Sequence, residues 1–114
     1  MSNVTPFPSS GGKIGQIGFD RLELQRIMDL YGRMVSAGHW RDYAIDLGRE
    51  AAIFSAFRRS AERPEYRIEK WPALRHRQGM WTLVGESGAI LKRGQELQGV
   101  LAPVERKLLR IVDQ

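Results

Sequence analysis

The sequence predicts an α+β fold: an N-terminal helix, a five-stranded antiparallel meander and a C-terminal helix. Three observations predict it. Apolar residues recur at helical spacing between Asp20 and Gly38, short alternating runs follow from Trp40 to Arg93, and a second helical stripe begins after Gly94. Two amphipathic helices laid on one face of a sheet bury both stripes, which is the layer solution for this order of elements.

The first helix is read over about residues 20 to 37. Asp20 and Glu23, three residues apart, form an Asp variant of the capping box that satisfies free backbone N–H groups at a helix start. Leu24, Ile27, Met28, Tyr31, Met34 and Val35 make its apolar stripe, and Gly38 is its stop. Gly32 inside the helix costs roughly 1 kcal/mol, a cost expected to reflect a second backbone passing close by.

The strands are read between about residues 42 and 93. DYAIDL and AAIFSAFRR flank a glycine-containing turn and read as a hairpin. PEYRIEKW sets Tyr66, Ile68 and Lys70 on one face against Arg67, Glu69 and Trp71 on the other. MWTLVG and AILKR flank ESG, where Gly88 is free to take a positive φ. From about residue 95 a stripe of Leu97, Val100, Leu101, Val104, Leu108, Ile111 and Val112 marks the last helix, with a kink or split expected near Pro103. The expected core is Leu24, Ile27, Met28, Tyr31, Ile45, Phe54 or Phe57, Ile68, Leu83, Leu97 and Leu101. Residues 1–18, rich in Gly, Ser and Pro, read as a flexible tail, and residues 19–114 as one domain. GGKIG in that tail lacks the spacing and the Ser or Thr of a phosphate loop.

Composition narrows the function. With no cysteine there is no disulfide framework, thiolate nucleophile or Cys-type zinc site. No apolar run suggests a membrane span, and the N-terminus does not read as a secretory signal, so a cytoplasmic setting without a membrane partner is expected. The two histidines, His39 and His76, have no metal-ligand spacing to a second His, although His39 with Asp42 could form an oriented pair. No cofactor and no enzymatic activity are expected.

The formal charge is +5. From Arg58 to Arg93, nine basic residues face four acidic ones, so 9 − 4 = +5 and this stretch carries the whole excess. Within it, Arg58, Arg59, Arg67, Trp71, Arg75 and Arg77 are the expected partner-binding residues. A basic face with aromatics suits an acidic protein partner or self-association. It equally contains the ingredients of single-stranded nucleic-acid binding, cations for phosphates and rings for bases. The alternative is a solvated sheet face, with Arg67 beside Glu69 and Arg63 beside Glu62 and Glu65.

Three blocks, DLYGRMVSAGHWRDYAID, FSAFRRSAERPEYRIEKWPALRHRQGMW and GAILKRGQELQGVL, resemble a family of short alphaproteobacterial proteins built on a domain of unknown function. The resemblance covers roughly residues 19 to 103. It implies a bacterial cytoplasmic setting and a single domain, and it brings no catalytic residue and no ligand. The function expected on these grounds is a non-catalytic regulatory or adaptor module.

Overall fold

Residues 15–59 and 63–113 are described by the computed structural model. Helix α1 (Arg21–Ser36) is followed by strands β1 (Asp42–Leu47), β2 (Ala52–Phe57), β3 (Tyr66–Lys70), β4 (Trp81–Gly85) and β5 (Ile90–Gly94), and then by helix α2 (Leu97–Val112). The strands lie in chain order, each antiparallel to the next, with β1 and β5 at the edges. The predicted α+β architecture is the one observed.

Alternation decides which face of the sheet meets the helices. Ala52, Phe54 and Ala56 of β2 are buried while Ile53, Ser55 and Phe57 between them are not. With Ile68, Trp81 and Leu83 they join one core with Ile27, Leu30 and Met34 of α1 and Leu97, Val100, Leu101, Val104 and Leu108 of α2. Both helices therefore cover the same face. As the alternation of PEYRIEKW requires, Ile68 points into this core and Lys70 to the helix side, where its Nζ donates to Glu23 at 2.7 Å and to the Gly18 carbonyl at 2.8 Å.

Helix α1 begins and ends as its residues dictate. Both halves of the capping box form: the Glu23 N–H donates to Asp20 Oδ1 and the Asp20 N–H to Glu23 Oε1, each at 2.8 Å. At the other end Gly38 takes φ 79°, the Gly38 N–H reaches the Val35 carbonyl at 2.8 Å and the His39 N–H reaches that of Met34 at 3.0 Å. This is a Schellman stop, and it fixes where the backbone of His39 sits. The buried line of α1 runs through Ile27, Leu30 and Met34, with Leu24, Met28 and Tyr31 half-buried. The helix is thus rotated toward Leu30 relative to the expected stripe, and Val35 is exposed.

Two expectations are corrected and one alternative is resolved. Ile45 is 38% exposed, because β1 is an edge strand that the helices leave partly uncovered. Phe54, not Phe57, is the core aromatic, since Phe57 lies on the sheet's other face. Helix α2 is continuous through Pro103 and is not split there. Leu101 and Val104 on either side are buried, and their packing offsets the missing backbone bond. At the end of the stretch read as a tail, the Ile17 N–H donates at 2.7 Å to the carbonyl of Gly48 in the β1–β2 turn. Residues 1–14 lie outside the described residues.

Among the described residues no second backbone approaches Gly32, where an added methyl group would meet no atom within 4 Å outside its own helix backbone. Gly32→Ala is therefore expected to stabilise the protein by about 0.5–1 kcal/mol, because only the backbone entropy of glycine is removed. Urea unfolding at equal m value measures this; a destabilised variant would contradict the open surroundings.

Candidate functional site

The antiparallel meander brings five chain segments to one end of the sheet. The end of α1, the start of β1, the end of β2, the start of β3 and the end of β4 all meet there, because Asp42 pairs with Phe57 and Tyr66 with both Ala56 and Gly85. The result is an open cleft of about 340 Å³ lined by Gly38, His39, Arg58, Arg59, Arg63, Glu65 and Glu86.

Glu65 forms its floor and is almost fully buried. Its Oε1 accepts from the Trp40 indole Nε1 at 2.7 Å, its Oε2 from Lys107 Nζ at 2.8 Å, and His39 Nε2 lies 3.0 and 3.1 Å from the two oxygens. An ionised carboxylate only accepts, so Nε2 of His39 carries the proton in this bond. Burial by itself raises the Glu65 pKa. The hydrogen bonds from Lys107, Trp40 and His39 outweigh it, and the carboxyl titrates below its ordinary value. One carboxylate thus joins α1, β3 and α2.

Three arginines stand around this satisfied group. Arg58 Nη1 lies 4.0 Å from Glu65 Oε2, at the limit of an ion pair, and its side chain is half exposed. Arg59 has φ 43° and is the one non-glycine residue with positive φ among the described residues. That backbone conformation costs about 1–2 kcal/mol for an L-residue, and here it belongs to a residue of the cleft wall. Arg63 completes the lining. Glu62, its expected neighbour in charge, lies outside the described residues.

The six residues singled out from the sequence occupy three places. Arg58 and Arg59 line the cleft. Arg67 and Trp71 are on the sheet's open face, where Arg67 Nε donates to Glu69 Oε2 at 3.0 Å and Trp71 Nε1 to Glu69 Oε1 at 2.9 Å. Arg75 and Arg77 are exposed on the loop that begins with a 3-10 turn at Pro72–Leu74, at the far end of β3. A five-residue strand spans about 17 Å, which separates the two ends. That loop is pinned where Gly79, at φ 105°, packs on Gly94; a Cβ at Gly79 would come within 2.8 Å of the Gly94 carbonyl carbon.

His39, Arg63, Glu65 and Glu86 were not among the expected binding residues. The partner of His39 is Glu65, not Asp42. The sequence does carry a signal for this: in an antiparallel meander a helix stop before β1 and a residue before β3 share an end of the sheet. No group of three or more His, Cys, Asp or Glu side chains able to hold a metal occurs among the described residues. Nor is any helix among them long and apolar enough to cross a membrane.

Fold and cleft together define a two-layer α+β protein with a charged cleft at one end of its sheet. The chain belongs to the DUF2794 family, proteins of unknown function, whose family model matches residues 17–101. The matched region holds the sheet, α1 and every cleft-lining residue, and it ends before Lys107. Searches of curated proteins and of solved structures found no significant match.

Proposed function

We propose that this protein is a non-catalytic regulatory or adaptor module of the bacterial cytoplasm that holds an acidic segment of a protein partner in the arginine-lined cleft. The carrying observation is the charge balance at the cleft. Glu65 is already held by Lys107, Trp40 and His39, which leaves Arg58, Arg59 and Arg63 to face an incoming anion, with Glu86 as the other acidic residue among the described lining. Arginine forks pair with carboxylates through two parallel hydrogen bonds, and three of them around one opening select a segment with several acidic groups.

Single-stranded nucleic acid is the second reading, resting on the exposed Arg75 and Arg77. Its aromatic platform is weakened, because the Trp71 indole N–H and Arg67 both bind Glu69, which places a carboxylate beside the ring meant to stack on a base.

The test is a fluorescence-anisotropy titration with a labelled oligoglutamate peptide and with single-stranded and duplex oligonucleotides, near physiological ionic strength. The peptide should bind saturably. Arg58→Gln/Arg59→Gln should weaken it at least about tenfold, roughly 1.4 kcal/mol, while Arg75→Glu/Arg77→Glu leaves it nearly unchanged. Peptide binding no better than that of an unrelated protein of equal charge would refute the proposal. Tighter oligonucleotide binding, abolished by Arg75→Glu/Arg77→Glu, would replace it with the nucleic-acid reading.

A further inference from the structure

The two edges of the sheet are built differently. Strand β5 carries Lys92 and Arg93 and joins β4 through a register shift at Leu83/Val84. Charge and irregularity of this kind keep an edge from pairing with another chain. Strand β1 has no such irregularity, and its charges are the two acids Asp42 and Asp46. Its six residues pair with β2 in unbroken register, it contains no lysine or proline, and among the described residues no further strand adjoins it, the Leu47 carbonyl accepting only from Gln16 Nε2 at 3.4 Å there.

The side chains of β1 reinforce the difference. Tyr43, Ile45 and Leu47 point to the helix side, since their partners on β2 are Ala56, Phe54 and Ala52 of the core. They are nonetheless 43%, 38% and 39% exposed. Tyr31 of α1 meets Tyr43 edge-on with ring centroids 5.0 Å apart. Leu24 and Met28, half-buried, belong to the same stripe of α1. The edge and the helix together leave an apolar surface that the described residues do not cover.

We infer that β1 is a dimerisation edge, and that its occupant is β1 of a second copy, antiparallel about a twofold axis through Ile45. Self-pairing in this register sets Ile45 against Ile45, Tyr43 against Leu47, and Ala44 against Asp46. An axis through Ala44 would set Asp42 against Asp46, and an axis through Asp46 would set two Asp46 carboxylates together; both oppose like charges. Local charge favours a second copy as well. Arg41, Asp42, Asp46 and Arg49 sum to zero over residues 41–49, so this edge lies outside the basic excess that otherwise makes copies repel. A six-residue strand is about 20 Å long, and the exposed Tyr43, Ile45 and Leu47 widen the contact toward the roughly 800 Å² per partner of a standard interface. The two sheets join into one ten-stranded sheet with all four helices on one face, and the arginine clefts remain open.

The test is sedimentation equilibrium of the full chain from micromolar to near-millimolar concentration. A monomer–dimer equilibrium is expected, with Ile45→Lys and Leu47→Lys each weakening it at least about 100-fold, as for the central residues of an interface. Both side chains are partly exposed, and circular dichroism with a thermal midpoint will confirm that each variant folds. In wild type, hydrogen exchange at the β1 amides that point away from β2 should slow as concentration rises. A monomer throughout the range, or a dimer that survives both substitutions, would overturn the inference. So would open-ended growth beyond a dimer, which would indicate β1 joining the oppositely charged β5 of the next copy. Arg58→Gln/Arg59→Gln should leave the equilibrium unchanged, so this inference and the proposed function fail separately.

Discussion

Phe54→Ala is expected to destabilise the protein by about 3–5 kcal/mol, a large share of the 5–15 kcal/mol that holds a typical domain folded. Phe54 is fully buried at the centre of β2, between Ile45 of β1 and Ile68 of β3. Its ring stacks on Tyr43 with centroids 5.3 Å apart and meets Tyr31 edge-on at 6.0 Å. Truncation removes the apolar contact and the aromatic geometry together, and the strands on both sides limit how far the space can collapse. Phe57→Ala, three residues on and on the opposite face, should cost clearly less. Urea unfolding of both variants at constant m value measures the difference. A larger loss for Phe57→Ala than for Phe54→Ala would mean that β2 presents its other face to the helices, because a slip of one residue exchanges every inward and outward side chain.

Glu65→Gln should destabilise by about 2–4 kcal/mol at neutral pH. The substitution keeps the shape, but it puts an uncharged group where Lys107, His39 and the Trp40 indole all donate. Lys107 and His39 retain some access to water, their side chains being 30% and 20% exposed, so the loss falls short of that for a wholly enclosed pair. The pH dependence has a definite sign. The folded carboxyl titrates below its ordinary value of 4.5, so its contribution is complete above that pH and is lost as the pH falls through the lower folded value. Wild type should therefore lose stability on acidification faster than Glu65→Gln, and the gap between the two should close. Parallel decline of the two proteins through that range would show that Glu65 is not the linked group.

Elements were legible wherever the deciding interaction is local. The Asp20–Glu23 capping box is a contact between residues three apart, and it forms as its spacing requires. Gly38 stops α1, and Gly88 takes φ 93° in the turn between β4 and β5. The alternation of PEYRIEKW assigned Ile68 to the core and Arg67 to the open face, because successive strand side chains must point to opposite sides. At Pro103 the helix is not split, for the complementary reason. Its local cost is real, but five buried residues of α2 pack on the core and hold the helix across it.

The site was less legible, because it depends on chain direction over long separations. Arg63 and Arg75 look like neighbours in sequence, yet β3 runs from one to the other and carries them to opposite ends of the sheet. His39 and Glu65 are 26 residues apart, and Lys107 is another 42 beyond, yet they share one carboxylate. By itself, then, the sequence determined the element order, the inward and outward faces of the central strands, and the location of the positive excess. Those follow from periodicity, capping and composition, which act over a few residues. Only the tertiary structure decided that Ile45 stays exposed on an edge strand, that the basic residues divide among three places, and that Glu65 gathers its donors beneath three arginines. Each of these depends on which segments the antiparallel register brings to the same end of the sheet, and pairing between distant strands leaves no periodic trace in the chain.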